Sequence, residues 1–439
     1  MLPSSCRAGA HRMRIPLQLP LVAALALPRV AVSYAGYVAA PALMINWLSS
    51  RSYAKAIILA AFLALSAFVN WALGLRFSFT ALGLELALFL PFVAAVLAFT
   101  PSRFVNGRSF IRTLNLIVCV SSFISLFQMG FPLQLPYVHY LPDFYNGGFG
   151  RGGAKIVTVI GFFGVAEALS RKRGMTLKDN WSLIVAALNF IVPNFILGIV
   201  AGGAALVIFA RRNRALLFVG AAIAMVLVPY LQYRVEQRND SFAQAYGANP
   251  KIYAFVIIGN LYAEQPHTAL VGTGIGQFSS QPAIWTSPIN RYIGSHELPS
   301  LPGMFSSEVH ERYLAPLMLR FRENSYAIDS SANKPYSGIT QLLAELGLPV
   351  TVLLLYSAYR IFWRGSGTDF GRTVFLFLMA INLLDPQLDS PWFGAMLFAS
   401  LEVIRRDARL RRMAYSNNTS RESGVYLKTP KPVVAQPAE

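Results

Sequence analysis

Apolar stretches long enough to cross a lipid bilayer dominate this chain, and one long polar segment interrupts them. They recur from Ile15 to Tyr230 and resume from Ser337 to Ile404. Lipid offers no hydrogen-bond partner to bare backbone groups, so each crossing must be a helix of about 20 mostly apolar residues. The pattern therefore predicts an all-α, polytopic transmembrane helical bundle of about 12 helices. The expected crossings are residues 17–27 and 31–47 (two short crossings or one broken hairpin), 56–73, 79–99, 111–131, 156–169, 181–193, 196–210, 216–230, 337–359, 373–384 and 392–404.

The polar segment divides the chain into four regions. Residues 1–231 are predicted to form an N-terminal transmembrane bundle, and residues 337–404 a C-terminal group of transmembrane helices. Residues 232–336 are predicted to form one large loop outside the bilayer, with short helices at 251–262 and 307–320. Residues 405–439 end in a polar, proline-rich stretch and are predicted to be a disordered cytoplasmic tail.

The formal net charge of +18 would suggest nucleic acid as a partner of a soluble protein. Here only 13% of the residues are charged, 55% are hydrophobic, and the basic residues cluster in short links between apolar stretches. Short basic links mark the cytoplasmic side of a membrane protein. This placement predicts that both chain ends lie in the cytoplasm, that the large loop lies outside, and that nucleic acid is not a partner.

The N-terminal region allows a second interpretation. Basic residues, an apolar stretch and Ser33-Tyr34-Ala35 resemble a secretory signal peptide, although the hydrophobicity continues past Ala35, and Met13 is an alternative start. The two cysteines, Cys6 and Cys119, are too few for a disulfide framework or a thiolate metal site. The histidines lack metal-ligand spacing, so we expect neither a metal nor a cofactor.

The first outer loop carries positive charge on the side where positive residues are scarce. It reads Leu141-Pro-Asp-Phe-Tyr-Asn-Gly-Gly-Phe-Gly-Arg151-Gly-Gly-Ala-Lys155, and its glycines allow the backbone to approach a ligand closely. Arg151 and Lys155 are therefore candidates for binding an anion such as a phosphate. The alternative is a flexible turn whose charges contact lipid headgroups.

The large loop combines aromatic side chains with charges of both signs, which suits sugar binding but also an ordinary small core. One of its turns reads Gly272-Thr-Gly-Ile-Gly276-Gln and follows Ala269-Leu-Val. The turn does not match a dinucleotide-binding fingerprint, because its spacing is Gly-x-Gly-x-Gly and no strand–helix–strand unit follows.

Two short motifs and the segment between them follow one another along the chain. The first motif is Leu270-Val-Gly-Thr-Gly-Ile-Gly-Gln-Phe in the large loop, which closes with Ser330-Ser-Ala-Asn-Lys-Pro-Tyr-Ser. The second motif, Leu342-Leu-Ala-Glu-Leu-Gly-Leu-Pro-Val, follows. This order resembles that of the O-antigen polymerase and O-antigen ligase superfamily of bacterial envelope polysaccharide enzymes. Its members have a Gly-x-Gly-x-Gly-aromatic segment in the large loop, then in many cases His-Asn, then a helix bearing Glu-x-Gly-hydrophobic-x-Gly.

The chain departs from the family pattern at two points. It has Ala332-Asn333 in place of His-Asn, and it lacks the second glycine after Gly347, with Pro349 nearby. His310 is the nearest alternative histidine, although it lies outside the motif. The missing motif histidine favours a polymerase over a ligase.

The resemblance implies a GT-C-like fold in the bacterial inner membrane and a reaction on polyprenyl-diphosphate-linked oligosaccharides. An acceptor sugar hydroxyl attacks the anomeric carbon of the donor, and the lipid diphosphate leaves with negative charge. Arginine suits the stabilisation of this charge because it is always protonated and its fork matches phosphate. The expected catalytic residues are Arg151, Arg320, Arg322 and Glu345, and the expected substrate-binding residues are Lys155, Arg291, His310, Asn333, Lys334 and Asp389.

Three of these assignments leave alternatives open. Arg320 and Arg322 share a face only on an extended segment, so we predict that the region around Phe321 is extended or irregular. Glu345 is either a base or a structural residue that holds an arginine. The carboxylates of the outer turn Asp385-Pro-Gln-Leu-Asp389 either pair with an arginine or cap the turn between two helices.

The predicted function is polymerisation of lipid-linked repeat units into exopolysaccharide, capsule or O-antigen at the inner membrane. The expected partners are the lipid-linked oligosaccharide, membrane lipid, a chain-length regulator and other polysaccharide assembly proteins. The alternatives are an O-antigen ligase, a transporter or flippase for lipid-linked sugars, and a membrane scaffold. A transporter is expected to show paired repeats and interrupted helices in both halves, and the sequence shows neither.

Overall fold

The computed structural model describes residues 53–88, 106–128, 153–171, 177–193, 195–210, 250–287, 306–324, 336–388 and 390–422. Every regular element in these ranges is helical, which confirms the all-α prediction for this part of the chain. The α-helices are α1 (Tyr53–Ala72), α2 (Phe79–Leu88), α3 (Gly107–Gln128), α4 (Gly153–Leu169), α5 (Leu177–Ile191), α6 (Ile196–Ala210), α7 (Pro250–Glu264), α8 (His267–Val271), α9 (Gln281–Thr286), α10 (Ala315–Asn324), α11 (Gly338–Ala358), α12 (Asp369–Leu384) and α13 (Pro391–Glu422). Two π-helical turns, His310–Leu314 and Tyr359–Gly365, precede α10 and follow α11.

The helices largely coincide with the predicted apolar stretches. Within the described ranges, two helical spans are long and apolar enough to cross a membrane, Gly107–Ile124 and Gly338–Gly365. Shorter apolar helices cover Ile57–Ala72, Trp181–Ile191 and Ile196–Phe209. The predicted crossings at 17–27, 31–47 and 216–230 lie outside the described residues.

The larger hydrophobic core surrounds α4, which packs against α3, α5, α6, α12 and α13. Phe162 of α4 stacks on Phe377 of α12, with ring centroids 3.7 Å apart. Gly161 lies against the backbone of Phe190, which leaves no space for a side chain there. Small residues of this kind allow helices to approach closely, as in membrane bundles.

One end of this core holds a buried carboxylate surrounded by arginines. Glu167, at the end of α4, is 1% exposed and pairs with Arg108, Arg112 and Arg171. The Nη2 atom of Arg108 also donates to both carboxylate oxygens of Asp407 on α13, at 2.9 and 3.0 Å. Arg108 and Arg112 of one link and Arg171 of another therefore meet at Glu167, beside Asp407 of α13.

The last helix is longer than expected. It continues without interruption to Glu422, so the prediction of a disordered tail is wrong for residues 405–422. Alanine, arginine, leucine and methionine, all good helix formers, dominate residues 405–414. The extension is also anchored, because Arg411 Nη1 donates to the carbonyl oxygen of Gly367 at 2.8 Å.

A second core belongs mainly to the large loop. Side chains of α7, α9, the π-helical turn and α10 pack around Phe278, and Tyr336 and Ala344 close the cluster from the side of α11. The two short helices predicted inside the loop are confirmed, since α7 covers residues 251–262 and the helical segment ending in α10 covers residues 308–324. The described parts of the loop thus form a packed helical unit against the start of α11.

Candidate active site

The two motifs of the resemblance meet at the carboxylate of Glu345, which is 3% exposed. Its Oε2 atom accepts a hydrogen bond from the backbone N–H of Gly276 at 3.0 Å. Its Oε1 atom accepts from the N–H groups of Phe278, Ser279 and Ser280 at 3.0, 3.2 and 3.1 Å. This geometry favours the structural alternative for Glu345, with backbone amides in the place where an arginine was expected.

The break in α11 lies two residues further along. Gly347 adopts φ 73° and ψ 172°, which interrupts the helical backbone. The carbonyl oxygens of Ala344 and Glu345 accept instead from the N–H groups of Thr273 and Gly274, at 2.8 and 3.0 Å. Pro349 has no N–H and so needs no acceptor. We call the segment Gly272–Ser280 the glycine loop. Its N–H groups thereby form the hydrogen bonds that the carbonyl oxygens at the break cannot form within the helix.

Two glycines permit this close approach. A Cβ atom at Gly272 would overlap the carbonyl group of Glu345, and one at Gly347 would lie 2.8 Å from the carbonyl oxygen of Leu270. Both residues also have positive φ, a conformation that side chains rarely tolerate. Gly272 and Gly347 therefore both serve the contact between the two segments, whereas Gly274 and Gly276 lie close to Phe77 and Ala81.

We expect Gly347→Ala to destabilise the protein by about 2–4 kcal/mol, because positive φ and the contact with Leu270 both oppose a Cβ atom. The measurement is the midpoint of thermal unfolding in detergent. The matched control is Gly203→Ala in α6, where a Cβ atom would meet nothing within 4 Å. That variant should be neutral or more stable by up to about 1 kcal/mol. Equal midpoints for the two variants would contradict the role given to Gly347.

The opposite side of the glycine loop is attached to the connection between α1 and α2. Gln277 and the backbone of Ser78 exchange two hydrogen bonds, at 2.8 and 2.9 Å. Asn70 Nδ2 donates to the carbonyl oxygen of Gly272 at 2.9 Å. The loop is therefore held between α11 and the α1–α2 connection, and its backbone is rigidly placed.

His310 lies against this loop and is completely buried, in the first position of a π-helical turn. Its Nδ1 atom is 2.6 Å from the carbonyl oxygen of Phe278. A carbonyl oxygen only accepts, so Nδ1 carries the hydrogen and the neutral ring keeps its lone pair on Nε2. Nε2 has no hydrogen-bond partner among the residues that the structure describes. Burial lowers the pKa of His310 below its ordinary value of 6.5, which keeps the ring neutral near pH 7.

Three further hydroxyls of this region are buried without a described partner. They belong to Ser279 and Ser280 of the glycine loop and to Ser307, one turn before His310. Buried polar groups normally form hydrogen bonds, so such a group needs a ligand, a water molecule or another explanation. π-Helical turns inside α-helices are also frequent at functional sites. The surroundings of His310 are therefore the best candidate for a substrate site.

The lowered pKa of His310 predicts an acid-sensitive stability. The unfolded chain binds this proton more tightly than the folded protein, so the contribution of His310 is fully present above about pH 6.5 and is lost as the pH falls toward the folded pKa. We expect the thermal midpoint to fall between about pH 7 and pH 5, and His310→Gln to reduce that fall. Burial also lowers the pKa of His267, but this residue is only half-buried. His267→Gln should therefore change the pH dependence of the thermal midpoint less. If the thermal midpoint of His310→Gln falls with pH as steeply as that of the wild type, protonation of His310 does not control the acid sensitivity.

Lys155, predicted to bind substrate, is engaged with the chain itself. Its Nζ atom lies 2.7 Å from Oδ2 of Asp385 and donates to the carbonyl oxygen of Pro386 at 3.1 Å. Gln387 Nε2 also donates to Oδ2 of Asp385, whose side chain is 0% exposed. The carboxylate thus pairs with a lysine, and the backbone carbonyl of Asp385 accepts from Gly338 at the start of α11.

The prediction of an extended segment around Phe321 is wrong. Both Arg320 and Arg322 lie in α10, where every residue of Leu-Met-Leu-Arg-Phe-Arg-Glu except Phe321 is a good helix former. Positions two apart on a helix point in different directions, so the two arginines do not share a face. The argument that both reach one diphosphate therefore fails. The remaining predicted site residues, Arg151, Arg291, Asn333, Lys334 and Asp389, lie outside the described residues.

Sequence reasoning missed the serines of the site and the peptide groups that surround Glu345. The only signal for Ser279 and Ser280 was their position directly after the glycine motif, and neither Ser307 nor the backbone amides left a signal in the sequence. In the described ranges, no group of three or more histidine, cysteine or carboxylate side chains is placed to hold a metal ion. Comparisons with protein-family models, curated proteins and solved structures found no match.

Proposed function

We propose that this chain is a multi-pass glycosyltransferase of the bacterial inner membrane that polymerises polyprenyl-diphosphate-linked oligosaccharides. The observation that carries the proposal is the contact between the two motifs of the resemblance. Glu345 accepts amide hydrogens from residues 65 to 69 positions away, all of them in or directly after the Gly-x-Gly-x-Gly-aromatic segment. Motifs that matched by chance would have no reason to meet at one buried site.

Exposed apolar faces support insertion in a bilayer. Ile57, Ile58 and Phe68 of α1 and Val352 and Leu353 of α11 are each more than half exposed. Large apolar patches are uncommon on soluble monomers, whereas a bilayer covers them. Together with the two helical spans of sufficient length, these faces support the proposed bundle of about 12 crossings.

The two ends of α4 support the proposed orientation. The arginines around Glu167 lie at one end, and Lys155 lies about 18 Å away along the helix, at a rise of 1.5 Å per residue. The arginine-rich end is the cytoplasmic one under the positive-inside rule. Lys155 and the start of α11 then face the periplasm, and Glu345 lies about 10 Å along α11 from that end. The glycine loop and His310 would thus lie on the outer side.

The proposed reaction joins two repeat units. A hydroxyl of the acceptor sugar forms a bond to the anomeric carbon of the donor, and the bond from that carbon to the lipid diphosphate breaks with its electron pair. His310 Nε2 accepts the proton of the hydroxyl, because it carries the lone pair of a neutral ring and has no hydrogen-bond partner among the described residues. Arg151, Arg291, Lys334 and one of the two α10 arginines are the proposed partners of the diphosphate, and Asn333 and Asp389 of the sugars. The transfer needs no metal or cofactor.

The test uses purified full-length protein in lipid nanodiscs with a polyprenyl-diphosphate repeat unit. The expected products are a ladder of longer oligosaccharides and free polyprenyl diphosphate. Loss of a general base typically lowers the rate by about 10²–10⁴-fold, so we expect that loss for His310→Gln. Tyr313→Phe is the matched control, because Tyr313 belongs to the same π-helical turn but its hydroxyl donates to exposed Glu264 at the surface. Wild-type protein that leaves the repeat unit unchanged would overturn the proposal.

One observation favours the transporter as a second candidate. Interrupted helices near a binding site are typical of secondary transporters, and Gly347 interrupts α11. A transporter would move a fluorescent lipid-linked sugar across a liposome membrane without consuming it, and His310→Gln should not affect that movement. A ligase remains the nearest enzyme alternative, since His310 supplies a histidine from outside the motif. A single transfer to a different acceptor would distinguish it from a polymerase.

A further inference from the structure

We infer that Glu345 is a positioning residue that acts on His310 through a single peptide group. The inference rests on the proposed function, in which His310 accepts the proton of the acceptor hydroxyl. In this role the carboxylate is not the general base, and it does more than hold the glycine loop in place. In this role Glu345 touches no substrate.

The geometry consists of two hydrogen bonds on opposite sides of one peptide group. The peptide between Phe278 and Ser279 donates its N–H to Oε1 of Glu345 at 3.2 Å. Its carbonyl oxygen accepts from Nδ1 of His310 at 2.6 Å. Carboxylate, peptide and imidazole therefore form one continuous chain of hydrogen bonds, and Glu345, Ser279 and His310 are all buried.

Such a chain transmits charge because buried hydrogen bonds polarise one another. The carboxylate draws the peptide N–H toward itself and leaves the carbonyl oxygen of the same peptide more negative. That oxygen then holds the Nδ1–H of His310 more strongly. Two effects on His310 follow: the lone pair stays on Nε2, and the imidazolium formed during proton transfer is stabilised.

The charge of Glu345 is consistent with this role. A carboxylate accepts without donating, whereas a protonated carboxyl must also place a hydrogen of its own. Four backbone N–H groups donate to the two oxygens of Glu345, and a carboxylate can accept from all of them. The amides of Gly276, Phe278 and Ser280 also keep the carboxylate aimed at the Ser279 amide.

The other charged groups near His310 are largely balanced. Glu311, next to it in the π-helical turn, pairs with Arg76, and Glu264 of α7 pairs with Arg312. Glu308 accepts from the backbone N–H of Arg76 at 2.9 Å. Burial lowers the pKa of His310, whereas the bond to the Phe278 carbonyl and the charge of Glu311 raise it. The relay from Glu345 strengthens that carbonyl bond and so opposes the effect of burial.

A double-mutant cycle of Glu345→Gln and His310→Gln tests the relay in the lipid nanodisc assay. Removing a partner that orients a functional histidine typically costs about 10–100-fold, and we expect a loss of that size in kcat for Glu345→Gln. KM should stay unchanged, and the acid limb of the kcat profile should move to lower pH. In the His310→Gln background, Glu345→Gln should cause no further loss. An equal loss in both backgrounds, or full activity of Glu345→Gln, would overturn the relay.

Nitrogen NMR of ¹⁵N-histidine-labelled protein tests the relay without an activity assay. Comparison with His310→Gln assigns the signal of His310. The wild type should show an Nδ1–H tautomer, and Glu345→Gln should lower the pKa of this ring. An Nε2–H tautomer in the wild type would overturn the inference even if the glutamine variant does not fold. If the wild type does not polymerise repeat units but shows the tautomer and the pKa change, the proposed function fails and the relay stands.

Discussion

Glu345→Ala is expected to prevent accumulation of the folded protein. The change leaves the N–H groups of Gly276, Phe278, Ser279 and Ser280 without their acceptor in a buried site. A buried donor without a partner costs about 1–3 kcal/mol, so four of them approach the entire stability of a typical domain, about 5–15 kcal/mol. Water that enters the site would reduce the loss but would also detach the glycine loop from α11.

The measurement for Glu345→Ala is the amount of protein in the membrane fraction, together with its thermal midpoint in detergent. Glu264→Ala is the matched control in the same loop, because Glu264 forms an exposed pair with Arg312. Exposed pairs contribute about 0–1 kcal/mol, so this variant should accumulate normally. Normal accumulation of Glu345→Ala, with an unchanged midpoint, would show that the four amides have other acceptors.

Lys155→Met is expected to destabilise the protein by about 3–5 kcal/mol, because it removes a cation that pairs with a buried carboxylate. Asp385 is 0% exposed, and Lys155 Nζ lies 2.7 Å from it. The measurement is again the thermal midpoint in detergent. The control is Lys251→Met, which loses one hydrogen bond to the carbonyl oxygen of Tyr336 and should cost about 0.5–1.5 kcal/mol.

The double variant Lys155→Met with Asp385→Asn distinguishes a structural lysine from a substrate-binding one. Removing both charges should restore most of the lost stability, because no uncompensated carboxylate is left. If Lys155 serves only Asp385, the double variant should also recover its activity. A stable double variant with a raised KM would instead support the substrate-binding role. A double variant as unstable as Lys155→Met would contradict the pairing.

The helices were largely predictable because their apolar runs are imposed by burial or lipid along their whole length. Helix α6 begins and ends at the predicted residues, Ile196 and Ala210. The end of helix α13 could not be predicted from an apolar run. After Ile404 the sequence becomes polar, and its helix is stabilised by propensity and by contacts of Asp407 and Arg411 with distant parts of the chain. Such contacts leave no periodic pattern.

The two motifs of the site could be recognised in the sequence, but the hydrogen bonds that join them could not be predicted. Glycines at three alternate positions signal an unusual backbone, and Glu345 stands out as a charge in an apolar helix. Its partners are backbone amides, which every sequence contains, so no pattern distinguishes them. The wrong prediction around Phe321 came from a functional requirement, namely that two arginines share one ligand. Local helix propensity alone would have predicted the helix that the structure shows there.

The contact of Lys155 with the Asp385 turn bridges 231 residues between Lys155 and Pro386. Each residue alone suggested a ligand or a cap. Only the folded chain brings the two together, because α4 and α12 pack in one core. Charged residues at the ends of apolar helices are therefore ambiguous in a single sequence. Their partners depend on which helix ends become neighbours.

The break at Gly347 joins two distant pieces of chain into one cooperative unit. The first part of α11, from Gly338 to Leu346, ends in carbonyl oxygens that accept from Thr273 and Gly274, while its carboxylate accepts from the rest of the glycine loop. The hydrogen bonds between the two pieces are lost if either piece detaches. Local opening in proteins follows such units, so the amides of the glycine loop should exchange with solvent only when this part of α11 opens. The glycine loop would thereby exchange as slowly as this part of α11.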